Sequence, residues 1–431
     1  MVAKGTVRVR QLTSTRAEQV RVQRWLANAQ VTVEEIMAYC GSRMRQLAAN
    51  RHVLAIQDTT ELNYQKHAGR TRGLGTVGNG KDAGLFLHPV LAVDADTGAC
   101  LGLVGAQLWL RTKSKDPKYR AQPIEAKESV RWLRGGETAK RFLDGAARVT
   151  LVDDREGDIY EKWARLPDDR FDLLTRARAD RLLASGRSLF AVTNAMPVAH
   201  RYDLELPARS GKRQRSARCA PMELRFGSVT VQRPRHCSDP DAPANLTLCV
   251  VDVREFVDPQ QPVEEPIHWR LLTTHRIDSV DDAMALVSWY CQRWQIEQLF
   301  RTLKRQGLDA EASQLETGAG LLRLAALAVQ TATRCMQLVL ARDGTDTQSA
   351  EVVFEADDIE VLTALQPTLE GRTEKQRNHH PHRSLAWAAW IIARLGGWKG
   401  YRSESPPGPI TMHEGFTRFT AIAEGWRLRA T

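Results

Sequence analysis

Two short apolar runs are each followed closely by an aspartate, and this pattern points to a fold built on a buried sheet. Val53–Ile56 leads to Asp58, and Ala147–Val152 leads to Asp154. Short apolar runs of this kind are typical of buried strands. Helical patterns lie around them, so the sequence predicts an α/β fold with a mixed sheet flanked by helices. Each aspartate would lie at the carboxyl end of a strand, where open α/β sheets bind ligands.

Neither aspartate is decisive by itself. An aspartate that follows a strand often caps a turn or a helix and has no chemical role. For Asp58 or Asp154 taken alone, this structural reading is the stronger one. The case for a catalytic site therefore depends on further residues.

The pattern along the chain predicts three regions. Residues 1–50 form a helical lead-in, with Thr32 as the N-cap of its second helix. Residues 51–372 form the α/β domain, which contains a hairpin turning at Asp96-Thr97-Gly98 and a β-rich insertion at about 177–268. Residues 373–431 comprise a charged linker and apolar terminal helices.

The charge balance points to an anionic partner. Lys and Arg number 61 against 51 Asp and Glu, and the isoelectric point is about 9.4. Nucleic acid is the leading candidate, and the basic run Arg209–Arg218 could lie near it or form only a solvated hairpin tip. No apolar run approaches the roughly 18 residues that a membrane-spanning helix needs, and the N-terminus lacks the apolar core of a secretory signal. The sequence therefore predicts a cytoplasmic protein that does not interact with a membrane. The seven cysteines show no CxxC spacing, which argues against zinc.

A more specific signal lies in the segment YCQRWQIEQLFRTLK. If the segment is one helix, its 100° rotation per residue puts Tyr290, Arg293, Glu297 and Lys304 on one strip about 60° wide. The apolar residues of the neighbouring strip would face the core: Ile296, Leu299, Phe300 and Leu303. A solvated, salt-bridged face is the alternative, because Arg–Glu pairs four residues apart are common. A tyrosine and basic residues beside a glutamate also suit a surface that faces phosphate.

Three carboxylates suit metal-assisted phosphodiester chemistry. Asp58, Asp154 and Glu297 offer the hard oxygen ligands that Mg²⁺ prefers, and Mn²⁺ is expected to substitute. Two such ions about 4 Å apart activate the attacking oxygen and stabilise the leaving one. The sequence therefore predicts two Mg²⁺ ions held by these residues.

Five blocks of the sequence resemble the insertion-sequence-four (IS-four) family of DDE transposases. Their order along the chain makes the resemblance specific, and it implies a ribonuclease-H-like catalytic fold with a β-rich insertion before the glutamate helix. The blocks are AIQDTTELNY, EAKESVRW, VDDREGDIY, YCQRWQIEQLFRTLK with its Y-x2-R-x3-E-x6-K spacing, and SLAWAAWIIARLGG.

The resemblance assigns roles to individual residues. It implies that Asp58, Asp154 and Glu297 are the metal-binding catalytic set. It implies that Tyr290, Arg293 and Lys304 contact DNA phosphates and a flipped base. It also implies that Trp269 stacks on that base, although a core aromatic at a strand start is an equal alternative, and that Arg176 belongs to the same pocket.

The activity implied is cut-and-paste transposition through a DNA hairpin. The expected partners are double-stranded DNA, as transposon ends and target, and a second copy in a synaptic homodimer. The resemblance implies that residues 1–50 are a shortened DNA-binding region. Because only 57 residues precede Asp58, recognition of the transposon ends is in question. An inactive, oligomerising inhibitor of transposition is therefore one alternative, and a structure-selective nuclease is another.

Assembly through the terminal helices is a separate hypothesis. Trp387, Trp390 and Trp426 could bury against a second copy, with packing inside one chain as the alternative.

Overall fold

The computed structural model of the chain comprises two compact units. The first contains residues Met1–Ser114, Thr138–Ala147 and Trp294–Thr431, and the second contains Lys115–Glu137 and Arg148–Arg293. The structure describes the whole chain apart from residues 2, 3, 5, 79, 112–118, 120, 121, 207–215, 259, 261, 262, 264, 306, 402, 403 and 431.

Five strands and most of the helices belong to the first unit. In chain order they are α1 (Val9–Leu12), α2 (Arg16–Ala27), α3 (Val33–Leu47), β1 (His52–Gln57), β2 (Thr60–Asn63), β3 (Gly75–Val77), β4 (Asp82–Asp94), β5 (Cys100–Trp109), α8 (Trp294–Lys304), α9 (Gly318–Ala341), α10 (Ala356–Leu369), α11 (Leu385–Leu395) and α12 (Pro409–Ala430).

The second unit holds the other strands. Its elements are β6 (Arg148–Asp153), α5 (Tyr160–Arg165), β7 (Phe171–Arg176), α6 (Leu189–Ala195), β8 (His200–Leu206), β9 (Arg218–Gln232), β10 (Asn245–Glu255), β11 (His268–Thr273) and α7 (Val280–Cys291). The sequence of α4 (Arg131–Phe142) is shared between the two units.

The first-unit sheet is organised around β4. This strand pairs antiparallel with β1, β2, β3 and β5. The turn from β4 to β5 is held by Asp94, whose Oδ1 accepts hydrogen bonds from the backbone N–H groups of Asp96 and Thr97, and Gly98 takes a φ of 72°. The predicted hairpin is confirmed.

The N-terminal helices begin as their sequences predict. Thr15 and Thr32 each accept from the backbone N–H three residues on, and Glu18 and Glu35 bond back to them. These capping boxes satisfy N–H groups that a helix leaves without partners. Thr32 is therefore confirmed as an N-cap.

The second-unit sheet is mixed, as predicted. Its strand order is β6-β7-β11-β10-β9-β8; β6 and β7 pair in parallel and the other pairs are antiparallel. The segment predicted as a β-rich insertion does not form a separate layer, because its strands extend the sheet through β11. The short helix α6 within it was not predicted. The α/β fold class is confirmed.

The segment Tyr290–Lys304 is not one helix, so that prediction is wrong. Helix α7 ends at Cys291, a tight turn follows, and α8 begins at Trp294. In the turn, the Arg293 N–H donates to the Tyr290 carbonyl, three residues back. The common strip of four side chains therefore does not exist as a single helix face. The rotation of 100° per residue relates only residues within one helix, such as Glu297 and Lys304 on α8.

The terminal tryptophans have different environments. Trp387 and Trp390 are buried in a core formed by α9, α10, α11 and α12, whereas Trp426 is 48% exposed. Packing inside one chain therefore accounts for the first two residues. Assembly of two copies stays a prediction, and of these three tryptophans only Trp426 is exposed for it.

One helix departs from the expectation about apolar runs. By length and composition α9 could cross a membrane, but 72% of its most apolar window is buried inside the protein. A buried core helix meets the same criteria.

Most of the basic run Arg209–Arg218 lies outside the described residues.

We predict that the Trp387→Ala variant loses about 3–5 kcal/mol of unfolding free energy, because it opens a cavity in this core. Trp426→Ala should lose about 0.5 kcal/mol or less, as exposed positions do. Urea unfolding followed by tryptophan fluorescence and circular dichroism measures both. A large, concentration-dependent loss in Trp426→Ala would contradict its exposure and indicate burial against a second copy.

Candidate active site

Asp154 lies at the carboxyl end of β6 and caps the turn that follows. It is the N-cap of a single 3₁₀ turn, Arg155–Gly157, and its Oδ1 accepts a 2.7 Å hydrogen bond from the Glu156 N–H. The expectation that this aspartate caps a turn is thus correct for its Oδ1. A metal-binding role would fall to Oδ2.

The neighbouring aspartate has a different role. Asp153 is fully buried and forms an ion pair with Lys162 on α5, whose side chain is also fully buried. Thr175 on β7 completes the group, since its Oγ1 donates to Asp153 and accepts from Lys162, both at 3.0 Å. The group ties the end of β6 to the end of β7. The position next to Asp153 requires a glycine, because a Cβ on Gly157 would lie 2.5 Å from the Asp153 Cβ.

A second ionic contact fixes the far side of the same turn. The Asp158 side chain is fully buried, and its Oδ1 accepts from the Arg181 Nε at 3.0 Å. Its Oδ2 accepts from the Arg178 N–H at 2.9 Å. The loop after β6 is therefore bound to the loop after β7.

Five of the predicted residues lie in the second unit, and four of them meet around the phenol of Tyr290. This side chain is hydrogen-bonded to Arg293 and Arg176, and Trp269 packs edge-on against its ring at 5.4 Å between centroids. Arg176 also donates to the His268 carbonyl at 2.8 Å. Asp154 lies within electrostatic range of the phenol.

The environment of Tyr290 keeps its hydroxyl protonated. Burial raises the pKa of the Tyr290 phenol, and Arg293 and Arg176 oppose this rise only in part. Burial also lowers the pKa of Arg176, although arginine stays charged at neutral pH. The cluster therefore contains one neutral hydroxyl and two guanidinium groups, which suits a phosphodiester.

Asp58 follows β1 as predicted, in the first unit. It is half-buried, and its Oδ1 accepts a 2.7 Å hydrogen bond from the Thr59 N–H. The strand before it is buried, in agreement with its apolar sequence. The carboxylate is thus held at the boundary between the core and the surface.

Glu297 and Lys304 belong to α8, also in the first unit. Glu297 is exposed in the first turn of the helix, whereas Ile296, Leu299 and Leu303 are fully buried on the other side. Burial lowers the pKa of Lys304, and Glu311 and Glu61 act in the opposite direction. These carboxylates partly neutralise Lys304, which weakens its predicted action on phosphate.

The predicted site residues therefore belong to two different units. Asp154, Arg176, Trp269, Tyr290 and Arg293 lie in the second unit, and the other three predicted residues lie in the first. Within the described part of the chain, no group of three or more His, Cys, Asp or Glu is placed to hold a metal ion. As ligand types the three carboxylates fit Mg²⁺. Their joint action stays a prediction.

Sequence reasoning missed the residues that support the turn of Asp154. Lys162 is one polar residue in the stretch DIYEKWARL, and Arg181 lies in a segment with no motif. Lysine is rarely fully buried without a partner. A lysine in the helix directly after an Asp-Asp pair was the available signal.

Part of the chain matches a known protein family. Residues 186–331 match the family described as transposase DDE domain, which is about a third of the chain. The matched region contains Trp269, Tyr290, Arg293, Glu297 and Lys304, and it begins after Asp58, Asp154 and Arg176. The match supports a transposase of the DDE type.

A cryo-EM structure of the piggyBac transposase synaptic complex with hairpin DNA is one of the solved structures that the chain resembles. The identity is 10% and the TM-score 0.38; the match covers 89% of this chain and 56% of that one. The chain thus spans little more than half of that protein's length. The resemblance to the IS-four family, and within it to the Tn-five transposase, is not confirmed by these comparisons.

We predict that Lys162→Met loses about 3–5 kcal/mol of unfolding free energy, because Asp153 then remains buried without its cation. The double variant Asp153→Asn, Lys162→Met should recover at least half of the loss. Urea unfolding measures both variants. Equal losses in the single and double variants would show that the ion pair is not the cause.

Proposed function

We propose that this protein is a DDE transposase that cuts double-stranded DNA at transposon ends and joins the ends to target DNA. The observation that carries the proposal is the cluster around Tyr290, where Arg176, Arg293 and Trp269 meet beside Asp154. The transposase DDE match supports it, because its matched region includes Glu297. The basic charge balance suits the DNA substrate.

We assign metal binding to Asp58, Asp154 and Glu297, with two Mg²⁺ ions as the natural cofactor and Mn²⁺ as a substitute. Bound there, the ions would lower the pKa of an attacking water and stabilise the departing 3′-oxygen. The chain prepares two of these ligands by ending a buried strand just before each one. A hydrogen bond from a backbone N–H then orients each side chain.

The second-unit residues bind and orient the DNA. Arg176 and Arg293 contact the phosphate next to the scissile bond, and the protonated Tyr290 hydroxyl can donate to a phosphate oxygen. Trp269, at the start of β11 and half-buried, offers a ring on which an unstacked base can lie. Lys304 adds a weaker contact because Glu61 and Glu311 share its charge.

The reaction we propose proceeds by successive phosphodiester exchanges. Water attacks at the transposon end and releases a 3′-hydroxyl. That hydroxyl attacks the opposite strand, which closes a hairpin at the end and frees the flanking DNA. A second water reopens the hairpin, and the regenerated 3′-hydroxyl joins target DNA. A base flipped onto Trp269 relieves the bend that the hairpin imposes.

We also propose that two copies act together in a synaptic complex. The protein would work in the bacterial cytoplasm, on the nucleoid when bound to DNA. Exposed apolar residues on α12, Ile422 and Trp426, are available for such pairing.

We predict that Asp58→Ala, Asp154→Ala and Glu297→Ala each lower strand cleavage on the order of 10³-fold or more. The substrate is a duplex carrying the inverted repeats that flank the gene, with Mg²⁺ or Mn²⁺ present. DNA affinity, measured by fluorescence anisotropy, should change little. Glu360→Ala, an exposed carboxylate on α10, is the control. A variant that still cuts would remove its residue from the catalytic set.

We predict that Trp269→Ala slows hairpin closure by about 5- to 150-fold, which corresponds to the roughly 1–3 kcal/mol of one base stacked on an aromatic ring. Trp269→Phe should retain most of the activity. A duplex already nicked at the transposon end isolates this step from the first cleavage. If the wild-type protein joins ends to target without any hairpin, the proposed route is wrong while the transposase function stands.

A further inference from the structure

Strands β1 and β2 pair with β4 in a single register, and Asp58 lies in the short gap between them. β1 ends with Gln57 opposite Val90, and β2 begins with Thr60 opposite Leu87. Gln57 and Thr60 are as far apart in sequence as Val90 and Leu87 are, so neither strand contains an inserted residue. The gap is a local break in pairing and not a bulge.

A proline accounts for the position of the break. The continuous register puts Asp58 opposite Pro89 and Thr59 opposite His88. Proline has no backbone N–H and is unusual inside a sheet, yet Pro89 lies in β4 with strands on both of its sides. Pairing is absent at this level, while the register on both sides of the gap continues unchanged.

A buried histidine holds the two residues that flank Asp58. The Thr59 Oγ1 lies 2.9 Å from the His88 Nδ1, and the Gln57 Oε1 lies 3.0 Å from the His88 Nε2. His88 and Gln57 are fully buried. Because the amide oxygen of Gln57 only accepts, the His88 Nε2–H donates to it, and in the neutral ring Nδ1 accepts from the Thr59 hydroxyl.

The alternation of side chains along a strand places these groups on one face. Gln57, Thr59 and His88 lie on the same face of the sheet, and Asp58 lies on the other. The imidazole therefore fixes the backbone on both sides of Asp58 without occupying the space in front of its carboxylate.

We propose that His88 is a positioning residue for Asp58. It connects the residues before and after the carboxylate at the point where Pro89 interrupts the strand, and so keeps Asp58 ready for a divalent cation. The inference rests on the proposed function for the role of Asp58.

Amide hydrogen exchange tests the geometry without any metal. In the full-length His88→Leu variant, exchange at Asp58 and Thr59 should rise about 10-fold more than in the control. The control is Val93→Ala, which removes buried volume from the same strand, opposite Leu54. If His88→Leu and Val93→Ala give equal exchange at these two amides, the inference is overturned.

Mn²⁺ binding in the absence of DNA tests whether His88 supports metal binding by Asp58. The Kd for Mn²⁺, measured by electron paramagnetic resonance, should rise about 10-fold in His88→Leu and in Thr59→Val, as when residues that support a metal ligand are lost. Thr59→Ser should restore the wild-type value because it keeps the hydroxyl, and Val93→Ala should leave it unchanged. Wild-type affinity in both His88→Leu and Thr59→Val would overturn the proposal.

The same titration separates this inference from the proposed function. If Asp58→Asn binds Mn²⁺ as tightly as wild type, the proposed metal set is wrong. If Asp58→Asn loses binding but His88→Leu does not, the metal set stands and the positioning role of His88 fails.

Discussion

Parallel pairing of β6 with β7 is the constraint on which the second unit depends. Two parallel neighbours end at the same edge, so Asp154 and Arg176 come together although they are far apart in sequence. The buried group of Asp153, Lys162 and Thr175 joins these two strands just below that edge. The cluster around Tyr290 is assembled on this base, and both aromatic side chains approach it from elements that follow later in the chain.

Much of the fold follows from local patterns. Val53–Ile56 and Ala147–Val152 become buried strands because strands covered on both faces need no polar alternation. The β4–β5 hairpin follows from turn residues with local hydrogen bonds, and α3 from the capping box at Thr32. Such features depend on a few neighbouring residues, so a sequence contains enough information to predict them.

The features that could not be predicted depend on contacts between distant residues. The helical rotation rule gives no sign that the helix ends at Cys291, since the apolar pattern continues into α8. Sequence alone also could not distinguish Asp153 from Asp154, because the choice depends on Lys162 and Thr175. In the same way, the gathering of Arg176 and Tyr290 was expected from a family resemblance and not from spacing.

The strand order of the second unit ends at β8, and the outward residues of this strand have a consequence for solubility. Arg201, Asp203 and Glu205 alternate along it and are exposed. An outermost strand offers backbone groups to any chain that meets it, and charges of both signs make a flat, apolar stacking of two such strands unfavourable. The charged side chains of β8 therefore disfavour aggregation through this edge of the sheet.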